Sequence, residues 1–386
     1  MTTTTTSPQR SVMPKSVWAN LTGLRGICAF YVLISHIWFQ VWPAAEPPLG
    51  YGRYPDGILY WLTSWLYHGH FAVIAFIVVS GYSLQAARIG RGDAYTTLGF
   101  LKRRCRRILP PYYAAMVLSA VIGVTVAAEM TGSQWDISLP VTWNSLLTHS
   151  LLLQDLVDYT KINYAHWSIA AEFHLYLMFP LFIWLLGRVG ARWGTAVVAT
   201  GVAGLIAYVM ISSDAPAFFF GLILYFFLGM VTASAAARMR FALTAEVRRT
   251  VRWAAGASLA TLLAVAVGVG FARVEAVLPA FDLGVALAIC ALILGFLPVR
   301  DVPVEAVPAA RTSLGGQVAA TLERLGRFSY SLYLIHPPIV MIVWLCLGGN
   351  DLDKPLMFGA LLAAAVPVAL ILSYLFYRIF ERPFTQ

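Results

Sequence analysis

Charged residues are scarce in this chain: they fill 12% of its 386 positions, while 59% are hydrophobic. A soluble domain is roughly a quarter charged, so the scarcity excludes an ordinary soluble enzyme and points to a chain whose solvent is the bilayer. A mean hydropathy of +0.73 agrees. Cysteine is scarce too. Cys28, Cys105, Cys290 and Cys346 have no disulfide or metal-ligand spacing, so neither a stapled scaffold nor a metal site is expected. There is no internal repeat, no glycine-rich nucleotide loop and no soluble second domain. No nucleic-acid partner is expected. No apolar run precedes Leu21, so residues 1–20, with their Thr run, Pro8 and Pro14, read as a disordered cytoplasmic arm rather than a signal peptide.

What is present in abundance is apolar segments long enough to cross ~30 Å of hydrocarbon. They lie near 21–43, 69–87, 109–130, 166–187, 194–212, 217–237, 254–271, 281–297, 327–348 and 355–378. The fold class expected is an all-α, polytopic transmembrane helix bundle of about ten spans, its membrane domain covering 21–384. Lys and Arg favour cytoplasmic loops. With both termini cytoplasmic, 22 of the 27 Lys and Arg fall on the inner side, and only Arg53, Lys161, Arg273 and Lys354 on the outer. Arg25 lies inside the first span. A multi-pass protein of the cytoplasmic membrane is therefore expected. The long outer segment 131–165, with Trp135, Trp143 and "SLLTHSLLLQDL", reads as a helix lying at the interface.

Three titratable residues stand inside spans. Arg25 and His36 are eleven residues apart, which is three helical turns plus about 20° and a rise of about 16 Å. They share one face of the first span. A charge at bilayer depth costs at least ~2.5–3.5 kcal/mol, although Arg25 is near enough to the boundary to snorkel and a neutral His36 needs only one hydrogen bond. Glu172, in "HWSIAAEFHLYLMFP", falls at a similar distance from the outer end of its span. A carboxylate that fixes an imidazole tautomer makes a general base, so Glu172 is expected to orient His36. A structural pairing of Glu172 with His174 or an Arg is the alternative. In "GRFSYSLYLIHPPIVMIV", Tyr330, Tyr333 and His336 form a stripe expected to line a pocket, and Pro337 and Pro338 are expected to break the helical hydrogen-bond ladder. "FLKRRCRRILPPYY" sets Arg103, Arg104, Arg106 and Arg107 at the inner leaflet. That run reads either as a topology signal touching anionic lipid or as a site for a phosphorylated ligand.

In this order, these segments resemble the acyltransferase-3 family of membrane-bound O-acyltransferases. "LRGICAFYVLISH" is similar to the family's Arg-x10-His signature, "AFIVVSGYSL" to its second-span segment, and "RRCRRILPPYY" to the basic run before span 3. "HWSIAAEFHLYLMFP", "GRFSYSLYLIHPPIV" and "FERPF" are similar to later segments. The resemblance covers about 18–384. It implies acyl-CoA as co-substrate, no bound cofactor, and a hydroxyl acceptor, commonly sugar-containing, such as a cell-envelope polysaccharide or glycolipid. It also implies that His36 and Arg25 are needed for activity. Within that frame Arg103, Arg104, Arg106 and Arg107 would hold the donor's phosphates, and His36, oriented by Glu172, would take the proton of the acceptor hydroxyl. Ser168 would be a hydrogen-bonding neighbour. The chain departs from the family at Ile74, where an acidic residue is frequent, and around Glu172, which reads Ala-Glu-Phe-His. No extracytoplasmic domain is expected after the last span. That keeps O-acylation of a secondary-metabolite sugar as an alternative. A proton-coupled transporter is the alternative from another class, disfavoured by the lack of paired repeats.

Overall fold

The computed structural model describes residues 13–43, 54–157, 161–212, 218–239, 242–270, 273–274, 277–299 and 314–385. Of the expected arm, residues 1–12 lie outside the described residues, as do the orienting charges Arg10, Arg53, Arg240, Arg300 and Arg311. Among the described residues, twelve α-helices carry the fold: α1 (Lys15–Val41), α2 (Gly57–Thr63), α3 (His70–Arg91), α4 (Thr97–Thr125), α5 (Trp143–Ser150), α6 (Trp167–Ser212), α7 (Phe218–Arg238), α8 (Ala245–Val269), α9 (Leu278–Gly295), α10 (Leu314–Arg327), α11 (Ser329–Cys346) and α12 (Lys354–Phe376). The first helix begins at Lys15, earlier than Leu21, because nothing after Pro14 interrupts it.

Among the described residues nine helices are long and apolar enough to cross a membrane. One of them, α6, has 46 residues, which at 1.5 Å each is about 69 Å, more than twice the hydrocarbon thickness. Gly190 lies inside it at φ 74° and ψ 176°, a conformation open essentially only to glycine. Arg188 and Arg192 flank this point, where a chain leaving the bilayer needs charge. The element is thus two apolar stretches joined at Gly190, as the ten expected spans require. The fold is an all-α polytopic bundle.

Helix association in lipid gains little from the hydrophobic effect and depends on close backbone approach. Glycines supply it at two crossings. Where α3 meets α7, a Cβ at Gly81 would strike the Phe226 carbonyl, and one at Gly229 the Val78 carbonyl. Where α1 meets α10, a Cβ at Gly26 would lie within 3 Å of the Leu322 carbonyl and the Gly326 amide, and one at Gly326 would strike the Thr22 carbonyl. The first helix also packs on α3, α11 and α12. A polar clamp from half-buried His70 Nε2 to buried Asp282 Oδ1, at 3.1 Å, joins α3 to α9.

The segment between α4 and α6 differs from expectation. Trp143 is 87% exposed, but Trp135 is fully buried and donates to the Ala127 carbonyl at 3.2 Å. Gln154, Asn163 and His166 are also fully buried. His174 of α6 binds Asp155 at 2.8 Å. Among the described residues of this segment, α5 and the exposed Leu151, Leu153, Leu156 and Val157 after it have the expected interfacial character, whereas Trp135, Gln154, Asn163 and His166 fold into the end of the bundle and satisfy buried polar groups.

Replacing Gly81 or Gly229 with alanine should lower the melting temperature of the detergent-purified protein, since forcing a methyl group against a fixed carbonyl costs about 1–3 kcal/mol. Gly256, whose Cβ position is open, should tolerate alanine without loss. Equal melting of all three variants would show that these crossings are not tight.

Candidate active site

Gly26 and Gly326 touch at one level of the bundle. Ten residues further along each chain stand His36 and His336. The two rings meet: His36 Nδ1 lies 2.6 Å from His336 Nε2, with ring centroids 4.9 Å apart and planes 17° from parallel. Tyr164 presents its ring edge-on to His36 at 5.0 Å. His336 is fully buried, whereas His36 is only half-buried.

The two prolines interrupt the hydrogen-bond ladder, as expected, but the helix does not break: α11 runs on through Pro337 and Pro338. Proline lacks the N–H that the carbonyl four residues earlier needs. The Leu334 carbonyl, deprived of a donor at Pro338, instead accepts from Asn163 Nδ2 at 3.2 Å and His166 Nε2 at 3.1 Å. The inserted segment before α6 thereby repairs the helix and fixes the turn that carries His336.

On the Arg25 side of this pair lies a partly open cavity. Its polar wall has three cations, Arg25, Arg104 and Arg107, and two carboxylates, Glu172 and Glu381. Ser168, Tyr330 and Tyr333 line it too, with Phe76, Ile77 and Ile108 among its apolar residues. Arg104 stacks its guanidinium 5.8 Å from the Phe100 and Tyr176 rings. Arg25 lies within electrostatic reach of Arg107, Glu172 and Glu381. Among the described residues, Arg25 Nε and Arg104 Nε are buried without a hydrogen-bond acceptor. A guanidinium N–H in that state favours a ligand carrying carbonyl or phosphate oxygens. Glu381, from the turn after α12, accepts from Ser331 Oγ at 2.5 Å and from the Ser331 amide at 3.2 Å.

Several sequence expectations change here. Glu172 does not pair with His36: it accepts from the Tyr176 hydroxyl, one turn along its own helix, and Tyr176 also meets Ser80 Oγ at 3.0 Å. The reason is register. Ser168 Oγ meets the Tyr333 hydroxyl at 2.7 Å, so Glu172, a turn further along α6, falls level with the cavity rather than with His36. His336 does not line the cavity either; Tyr333 stands between, its ring 5.9 Å from that of His336. Tyr330 does line it, and its hydroxyl donates to the Ile108 carbonyl at 3.1 Å. The basic run divides between the cavity and the surface. Arg104 and Arg107 face the cavity, whereas Arg103 and Arg106 are exposed. Glu381 was not singled out from the sequence, although it sits in the "FERPF" segment.

The family model described as an acyltransferase domain, that of the acyltransferase-3 family, matches residues 18–378. The chain belongs to the acyltransferase-3 family. It is similar to the acyltransferase MdmB of Streptomyces mycarofaciens, 27% identical over 392 residues that cover 94% of this chain and 90% of the relative. No solved structure matches. The chain is therefore a membrane-embedded acyltransferase that transfers groups other than amino-acyl groups. The family match spans the cavity and the His36–His336 pair alike, except for Glu381, which lies just beyond it.

Asn163→Leu preserves volume but leaves the Leu334 carbonyl with one donor fewer and Ser119 Oγ without its 3.0 Å partner. Each buried group left unsatisfied costs about 1–3 kcal/mol. The variant should melt at a lower temperature and be cleaved faster by protease between residues 131 and 165. Unchanged melting and cleavage would show that Asn163 does not hold this segment.

Proposed function

We propose that the protein moves an acyl group from acyl-CoA to a hydroxyl of a sugar-containing acceptor. The observation that carries this reading is the cavity with two unsatisfied arginine N–H groups, separated from the His36–His336 pair by Tyr333, which the donor's acyl end must pass. The bias of Lys and Arg supports a cytoplasmic Arg25 end, the side on which acyl-CoA is available. Arg104 and Arg107 take the donor's phosphate oxygens as charge-assisted hydrogen bonds. The long, largely uncharged pantetheine arm passes Arg25, whose Nε–H serves one of its carbonyls. Arg25 and His36 are about 16 Å apart along α1, so the thioester comes to His36 while the phosphates stay near water.

His36 is the general base. It takes the proton of the acceptor hydroxyl as that oxygen attacks the thioester carbonyl. The C–S bond then breaks, and the departing thiolate takes the proton back from His36. The ester and free CoA are the products, and no external reductant or oxidant is needed. Glu172 and Glu381 offset part of the cationic charge in the cavity and hold Tyr176 and Ser331, which keeps the wall in shape.

His36→Ala should lower transfer from isotope-labelled acyl-CoA, measured in membrane vesicles by mass spectrometry of the acylated products, by about 10²–10⁴-fold while the protein still inserts and folds. Wild-type turnover by that variant would remove His36 from the mechanism. The inward and outward arginines provide a second test. Arg104→Gln with Arg107→Gln should raise the KM for acyl-CoA by about tenfold or more, as expected for lost charged hydrogen bonds, with a smaller change in kcat. Arg103→Gln with Arg106→Gln should leave both near wild type. With acyl-pantetheine, which has no adenosine phosphates, the inward pair should lose its effect. An equal penalty from both pairs would return the whole run to a role at the inner leaflet.

A further inference from the structure

The hydrogen bonds around His336 determine where its protons sit. His336 Nδ1 lies 2.9 Å from the Leu332 carbonyl. A carbonyl oxygen only accepts, and it has two lone pairs, one for the helical amide and one for this ring. His336 Nδ1 therefore carries a hydrogen. A neutral imidazole has only one N–H, so His336 Nε2 presents a lone pair. The alternative, an imidazolium, would place a cation in a fully buried site whose nearest polar aromatic neighbours are Tyr333 and the His36 ring. The carboxylates of this region are engaged elsewhere, Glu172 with Tyr176 and Glu381 with Ser331.

The contact to His36 then has one solution. At 2.6 Å, His36 Nδ1 must be the donor and His336 Nε2 the acceptor. His36 is left with its Nε2 lone pair on the half-buried edge of the ring. We infer that His336 is a positioning residue, holding His36 in the Nδ1–H tautomer so that Nε2 is the atom that takes the acceptor's proton. This rests on the reading of His36 as the base and supplies the orienting group that Glu172 does not. When Nε2 gains the proton, the Nδ1–H···Nε2 bond becomes charge-assisted and stronger. The cation is stabilised while His336 stays neutral, and the proton leaves again from Nε2 to the thiolate. The Leu332 carbonyl anchors His336, and the clamp of Asn163 and His166 on the Leu334 carbonyl fixes the same turn.

The test has a spectroscopic arm and a kinetic arm. Selective 15N labelling gives seven histidines to resolve, with His36 and His336 assigned from their substitution variants. In the wild-type protein, His36 should show a protonated Nδ1 and an unprotonated Nε2. His336→Leu removes the acceptor and should yield mixed tautomers at His36. The same variant should lower kcat by about 10²–10⁴-fold, the range seen when a base loses its orientation, with the KM for acyl-CoA within about twofold, because the cavity is untouched. His336→Gln, whose amide oxygen can accept from Nδ1, should recover about tenfold or more of the lost rate. A wild-type spectrum with the proton on His36 Nε2 overturns the inference, as does wild-type kcat in a folded His336→Leu protein. If neither variant folds, the wild-type spectrum alone decides. Activity retained by His36→Ala would instead defeat the base reading and leave the tautomer assignment standing, so the two failures are distinct.

Discussion

The close approach of α1 to the end of α10 sets the depth of everything in the site. Gly26 and Gly326 let two backbones come within a distance that any side chain would forbid. From that contact α1 and α11 run side by side in the same direction, and equal advances bring His36 level with His336. In a bilayer, where apolar surface gives little preference for one register over another, such a backbone contact fixes register more firmly than packing of Leu against Val. Arg25 stands one residue before Gly26, and Gly326 itself borders the cavity. The donor side and the catalytic side are thus tied to one crossing.

A second constraint is the demand of lipid that every backbone polar group find a partner within the protein. Pro337 and Pro338 leave α11 short of donors just beyond His336, and the chain answers with Asn163 and His166 from a distant segment. This converts a weak point of the helix into a fixed one. The histidine pair obeys the same economy. Two neutral rings share one hydrogen bond, so no permanent charge is held at this depth, where it would be costly. Charge is concentrated in the cavity instead, where three arginines face two carboxylates.

Much of this was legible in the sequence, and the part that was not has a common cause. Span positions, the all-α bundle and the shared face of Arg25 and His36 follow from periodicity within single segments. The partner of His36 does not. Glu172 was placed by its distance from the end of its own span, but the relative depth of two helices depends on where they touch, and Ser168 meeting Tyr333 shifts Glu172 by a turn. The division of the basic run was only partly available from helical spacing: the Arg104 and Arg107 pair is turned about 100° from the Arg103 and Arg106 pair, but Arg103 and Arg107, four apart, lie within about 40° of each other. The segment 131–165 looked interfacial because of Trp135, Trp143 and its leucines; that Trp135, Gln154 and Asn163 are buried instead depends on partners the sequence does not show. Glu381 was hidden for a similar reason, since its role depends on Ser331, fifty residues away.

The central claim is that one path joins the arginine cavity to the histidine pair, with the donor's acyl end arriving at His36. An acyl-CoA analogue carrying a diazirine at the acyl terminus tests it directly. After illumination of the purified protein in lipid nanodiscs, mass spectrometry of the peptides locates the adduct. The account predicts adducts on α1 between Val32 and His36 and on α11 between Tyr333 and His336, competed away by unlabelled acyl-CoA. Adducts confined to α8 and α9, which line no part of the cavity, or labelling that acyl-CoA does not compete, would contradict it.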